Sequence, residues 1–139
     1  MRSFAGLVEI VKQIVIILSL FVSLNSYAQL WEPVVQFESL TTYSYDPLSV
    51  KREGDIVNYW ELVDYEKPLN SGVLLVASSK TMVIQDCINN KFRVATLMDF
   101  DGHKGMGKII NVELFRTAKW YESTTGSVNE VLKKLVCKD

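Results

Sequence analysis

The chain has 139 residues and a formal net charge of −1, with 48% apolar and 22% charged residues. That composition suits a folded globular chain rather than a disordered one, and the balanced charge argues against general nucleic-acid binding, which draws most of its affinity from phosphate neutralisation. Two cysteines and a single histidine leave little material for metal or nucleophilic chemistry.

Residues 1–28 read as a secretory signal peptide. Arg2 and Lys12 flank its start, an apolar run follows from Ile14 to Leu24, and Ser26-Tyr27-Ala28 sets small residues before a cleavage between Ala28 and Gln29. The run's 11 residues fall short of the ~20 that a helix needs to cross a bilayer, and Glu9, Lys12 and Gln13 block its extension. An uncleaved anchor is the competing reading. Cleavage leaves residues 29–139, one domain of net charge −2, long enough to bury roughly 60 to 70% of its unfolded surface. Its longest unbroken apolar stretch is Val73 to Ala77, so the mature chain has no membrane span.

From residue 40 to 116 period-two alternation dominates, the mark of half-buried strands. Tyr43 and Tyr45 share one strand face opposite Thr42, Ser44 and Asp46, a packing stripe or a half-exposed contact stripe. Glu53-Gly54-Asp55 is a turn between Ser49 to Arg52 and a strand over Ile56 to Tyr65. That strand is apolar on both sides, which places it centrally. Asn70-Ser71-Gly72 turns into a strand over Val73 to Ile84, and Asn89-Asn90 makes a further hairpin.

Lys91 to Asp101 alternates most regularly: Phe92, Val94, Thr96, Met98 and Phe100 fall on one side and Lys91, Arg93, Asp99 and Asp101 on the other. The reading is one core face and one wet face. Ile110, Val112 and Leu114 then alternate with Asn111 and Glu113. The tight turns between these strands imply an antiparallel meander.

The period changes at the end. Ser127 and Glu130 have capping-box spacing, and Val128, Val131, Leu132, Leu135 and Val136 follow at helical intervals, with Lys133, Lys134 and Lys138 where positive charge suits the dipole. The fold class is therefore α+β, an antiparallel sheet with one C-terminal helix. An exported chain meets an oxidising compartment, and Cys87 has only Cys137 as an intramolecular partner, so one disulfide is expected. For that bridge to form, the helix has to end near Val136, turning Cys137 towards the sheet.

Chemistry is sparse. His103 lies in Asp99-Phe100-Asp101-Gly102-His103, which lacks the further ligands and terminal Glu of a calcium loop and reads as a strand end running into a turn. Gly102, Gly105 and Gly107 join strand to strand and open no helix, so they read as a flexible hairpin rather than a phosphate loop. No G-x-S-x-G elbow accompanies the lone histidine, and nothing sets Glu61, Asp64 and Glu66 apart from a solvated strand edge. A small hydrolase centred on His103 is thus a remote reading, and no catalytic residue, metal site or cofactor is assigned. Trp31, Trp60 and Trp120 with the tyrosines serve either a core or a sticky surface.

The order Trp31, Tyr45-Asp46, Ser49-Val50-Lys51-Arg52-Glu53-Gly54, Trp60, Ser78-Ser79-Lys80, Asp86-Cys87, Gly105-Met106-Gly107, Trp120, Gly126-Ser127 and Cys137 resembles the surface-adhesin protein E family of Gram-negative bacteria. The resemblance covers nearly the whole mature chain. It implies an antiparallel sheet whose C-terminal helix is tied to it by a Cys87–Cys137 bridge, and an activity of adhesion to host matrix glycoproteins. The chain departs from the family pattern at Gln29, where a lipid-anchored protein would present Cys, and at Thr125, where the pattern prefers Pro. The expected function is that of an exported, non-enzymatic, adhesin-like binding domain. Lys91, Arg93, Lys104 and Lys108 on the wet face and edge of its sheet would hold a protein or matrix glycoprotein at the cell surface. The alternative is a periplasmic accessory or structural envelope protein that pairs through an exposed strand edge.

Overall fold

The computed structural model describes residues 4, 6–13, 30–37 and 41–138. Residues 6–13, inside the expected leader, are helical and exposed; Ala28, Gln29 and the run from Ile14 to Leu24 lie outside the described residues. The rest is an eight-stranded antiparallel sheet and one helix. The strands are β1 (Glu32–Gln36), β2 (Thr42–Tyr45), β3 (Lys51–Glu53), β4 (Ile56–Ser71), β5 (Leu74–Asp86), β6 (Lys91–Phe100), β7 (Ile109–Leu114) and β8 (Tyr121–Glu122). Their order is β1-β2-β4-β5-β6-β7; β3 pairs with the start of β4 and β8 with the start of β6.

Local chemistry explains the connections. Gly54 and Asn90 adopt left-handed backbone in the β3–β4 and β5–β6 turns. In the latter, Asp86 Oδ1 accepts the amides of Ile88 (3.1 Å) and Asn89 (2.9 Å), and Oδ2 accepts from Asn89 Nδ2 at 2.8 Å. These bonds from Asn89 hold the Asp86 carboxyl below its ordinary pKa, and they shape the turn that carries Cys87. β4 and β5 run beyond their neighbours as a projecting hairpin, with Val73 fully exposed at its tip.

The C-terminal helix spans Val128–Val136 and has Ser127 as its N-cap, as its sequence predicts: Ser127 Oγ accepts the Glu130 amide at 3.2 Å, while Glu130 Oε2 accepts the Gly126 amide at 2.6 Å in place of the Ser127 amide of a capping box. Its apolar stripe lies on one end of one sheet face. Val57, Tyr59, Val83, Leu132 and Val136 form the buried core there, with Val34, Tyr45, Val50, Phe92 and Val128 packed round it. Burying each such aliphatic side chain is worth about 1.5–3 kcal/mol. The helix stops at Val136, and Cys137 joins Cys87 across a Cα–Cα distance of 5.7 Å. Arg52 Nη2 donates to the Lys138 carbonyl and Lys133 Nζ to Asn90 Oδ1, fastening the chain end to β3 and to the β5–β6 turn.

One feature of β6 corrects the sequence reading. Phe92 and Val94 pair with Gln85 and Val83, whereas Thr96, Met98 and Phe100 pair with Met82, Lys80 and Ser78, because Ala95 is an extra residue in a β-bulge. Directly opposed residues share a face. Phe92, Val94, Leu97 and Asp99 therefore face the helix side, while Lys91, Arg93, Thr96, Met98 and Phe100 share the opposite side. The predicted split of one apolar and one charged stripe fails at Ala95, since one inserted residue inverts every side chain beyond it. Asp101 lies past the end of the strand, in the turn.

Candidate functional site

The end of the sheet remote from the helix is capped by residues 101–108, which join β6 to β7. Ser78, fully buried on β5, donates from Oγ to the Gly102 carbonyl at 2.5 Å and accepts the Gly105 amide at 2.9 Å. Asp64 of β4 accepts the Lys104 amide with Oδ1 at 3.0 Å, and His103 Nδ1 lies 3.0 Å from the same oxygen. Asp101 Oδ1 accepts the Lys108 amide at 2.7 Å, while the Asp101 amide donates to the Lys108 carbonyl. Three side chains thus satisfy backbone groups that a surface loop leaves to water.

The glycines follow from this docking. Gly105 has φ +67°, and a Cβ there would fall 2.1 Å from Lys80 Cε. A Cβ at Gly107 (φ +83°) would meet Asp101 Oδ1 at 2.4 Å. Lys80 itself lies with Nζ 5.5 Å from the Trp31 ring centroid and 5.1 Å from that of Phe100, and burial lowers its pKa. The three glycines lie in the expected hairpin connection, whose backbone is hydrogen-bonded from below and forms a 3₁₀ turn over His103–Gly105. It presents His103, Lys104, Met106 and Lys108 to solvent.

This arrangement weakens the hydrolase reading. His103 is exposed and faces Asp64, but the hydroxyl of Ser78 is fully buried and engaged by Gly102 and Gly105. Among the described residues no group of His, Cys, Asp and Glu could hold a metal ion.

The four candidate cations do not form one cluster. Lys91 is exposed and stands opposite Asp86. Arg93 is half-buried, with its guanidinium 5.1 Å from the Trp120 ring and its Nε buried without a partner. Lys104 and Lys108 belong to the loop at the other end of β6, about 30 Å along the strand at ~3.3 Å per residue. Lys104 also lines a shallow hollow of about 230 Å³ with Trp31, Pro33, Ser44, Leu62 and Asp64. Between the two pairs the face carries half-buried Trp60, Met82, Thr96 and Met98.

The reading of Glu61 as part of a solvated strand edge is corrected by its burial. Glu61 faces the helix side between Tyr45 and Thr81, is 8% exposed, and its side chain makes no hydrogen bond or ion pair among the described residues. Burial pushes its carboxyl up to about 7. Burial, and next the nearby Glu61, also raise the pKa of Tyr59, whose hydroxyl has no partner. The signal was present: Glu61 shares strand parity with Tyr59 and Val63.

The pattern of surface-adhesin protein E matches residues 31–138. The chain belongs to the surface-adhesin protein E family. It is by that membership an adhesin-like surface protein. None of the curated proteins matches it in sequence. Among solved structures it is similar to protein E from non-typeable Haemophilus influenzae, with a TM-score of 0.61 at 15% identity, covering 82% of this chain and 78% of that one. A second crystal form of Haemophilus influenzae protein E gives 0.57 at 16% identity, covering 76% of this chain and 86% of that one. At such identity the likeness is one of fold. The motif residues that carry the family resemblance are largely supports: Trp31, Ser78, Lys80 and Gly105 dock the loop, Asp86 shapes the turn before the bridge, and Ser127 caps the helix. No helix among the described residues is long and apolar enough to cross a membrane.

Proposed function

We propose that this protein is an exported binding domain, residues 29–139 after removal of its leader, which holds a host protein or matrix glycoprotein through the sheet face opposite the helix and the loop that caps it. The observation that supports this reading is the preorganised loop: Ser78, Asp64 and Asp101 hold its backbone, so exposed Lys104, Met106 and Lys108 engage a partner without a large ordering cost. Lys91 and Arg93 mark a second contact region at the far end of the same face. Two separated cationic ends with half-buried aromatic and methionine side chains between them suit an extended anionic or amphipathic partner better than a small ligand.

The test is capture of immobilised matrix proteins by the secreted domain. Lys104→Glu with Lys108→Glu is expected to cut capture severalfold while the melting temperature stays put, because both side chains are exposed. Unaltered capture would remove the loop from the account. A second reading, an envelope accessory protein pairing through a strand edge, is supported by β7, an edge strand with Ile109, Val112 and Leu114 exposed. Release by osmotic shock without surface labelling of intact cells would favour it.

A further inference from the structure

On the helix-bearing face, beside the core, lies a cleft of about 290 Å³. Thr81, Val94 and Leu97 form its floor, and Phe115, Ala118 and Tyr121 its far wall. The bulge in β6 builds it. The Ala95 carbonyl, at the bulge, accepts the Phe115 amide at 2.9 Å, which ties down the start of the segment after β7. Tyr121 ties down the end, paired with Phe92 in the sheet and with ring centroids 5.8 Å apart. Fixed at both ends, residues 115–121 run beside β6, and Phe115, Ala118, Lys119 and Tyr121 border the space next to Val94 and Leu97. Bulges recur beside binding sites.

The lining is mostly apolar, with one cation. Lys119 contributes to the wall, is exposed, and makes no ion pair or side-chain hydrogen bond among the described residues; Arg116 in the same segment is likewise exposed and unpaired. Two acids flank the floor. Glu113, opposite Leu97 on β7, is exposed, and its Oε1 accepts from Asn111 Nδ2 at 3.1 Å. Glu61, opposite Thr81 on β4, is buried. A site of this size lies at the lower bound for small-molecule pockets, ~300–1,000 Å³, which admits a single chain and excludes a broad ring system.

We propose that this cleft binds one alkyl chain of an anionic amphiphile, such as a medium-chain carboxylate, with the chain against Val94, Leu97, Phe115 and Ala118 and the anion at Lys119. The chemistry is shared by a free fatty acid and by an acyl chain of an anionic lipid. The proposal is independent of the adhesive face, since it uses the opposite side of the sheet.

The test titrates the secreted protein with sodium decanoate and, separately, with 1-decanol, both below the concentrations at which they aggregate, while NMR follows the methyl groups of Val94 and Leu97. Saturable shifts at both are expected. Lys119→Glu should weaken decanoate about tenfold, the scale of a lost hydrogen bond to a charged group, and leave decanol unchanged. Ala118→Trp fills the cleft and should abolish both, its folding checked by an unchanged melting temperature; the exposed Lys119 variant keeps the test open if that protein does not fold. Retention on phosphatidylglycerol vesicles that Ala118→Trp removes would identify a lipid chain as the source, and binding confined to monomeric decanoate a free acid. Absence of saturable shifts, equal losses for acid and alcohol in Lys119→Glu, or full binding by a folded Ala118→Trp protein would overturn the proposal.

Discussion

The two ends of the sheet are held by different physics. Under the helix, Val57, Tyr59, Val83, Leu132 and Val136 exclude water, and a covalent bridge clamps the layers. At the far end Ser78, Asp64 and Asp101 satisfy the backbone of one short loop, and most of that loop stays wet. The first end supplies most of the apolar burial, and its charged groups, Lys91, Lys134 and Lys138 among them, stand outside that core. The second contributes less area, yet fixes an exposed cationic turn in one shape. A binding surface can be preorganised without being buried, provided its own backbone is satisfied from below.

Breaking the helix end should cost most. Replacing Cys87 and Cys137 together by Ser releases a cross-link spanning 50 positions, and the chain-entropy account puts the loss at about 4 kcal/mol. Urea midpoints at constant m-value measure it; a loss below ~1 kcal/mol would mean that the helix docks without the bridge. Leu132→Ala, which empties a fully buried site, is expected to cost about 3 kcal/mol in the same measurement.

Glu61 lies between the two ends and gives a pH test. Its carboxyl is raised from 4.5 to about 7 in the folded chain, so the native state binds the proton more tightly than the unfolded state does. Stability from this group is full below pH ~4.5 and falls as pH rises through ~7, by roughly 3 kcal/mol at most. Glu61→Gln should therefore flatten the decline and stabilise the protein at pH 8; an unchanged profile of chemical denaturation against pH would show that Glu61 does not titrate in this window.

Changes at the loop end should be smaller in stability and larger in binding. Gly105→Ala demands left-handed backbone and displaces the Lys80 side chain, for a cost of about 1–2 kcal/mol, together with reduced capture on matrix proteins. If capture persists while the melting temperature falls, the turn is structural alone. Comparing Lys91→Glu with Arg93→Glu separates charge from packing: the exposed lysine should leave the melting temperature unaltered, and the arginine, stacked on Trp120, should lower it by about 2–4 °C.

Much of this was legible in the chain itself. Period-two segments bounded by Gly54, Gly72 and Asn90 specify antiparallel strands, Ser127 and Glu130 specify where a helix begins, and two lone cysteines in an exported chain specify a bridge. Each of these rests on local geometry or on having a single partner to choose, so no knowledge of distant residues is needed. The faces of β6 and the state of the glycine turn were decided by tertiary structure. Ala95 bears no mark of a bulge in its own side chain; the insertion exists because β5 sets the register on one side and the Phe115 amide takes the freed carbonyl on the other. The rigidity of Gly102–Gly107 likewise comes from Ser78 and Asp64, which are distant in sequence and arrive only when β4 and β5 are laid beside it. Local pattern dictates which elements form, whereas what satisfies a buried polar group, and which side of a strand meets water, depends on the partner that folding brings alongside.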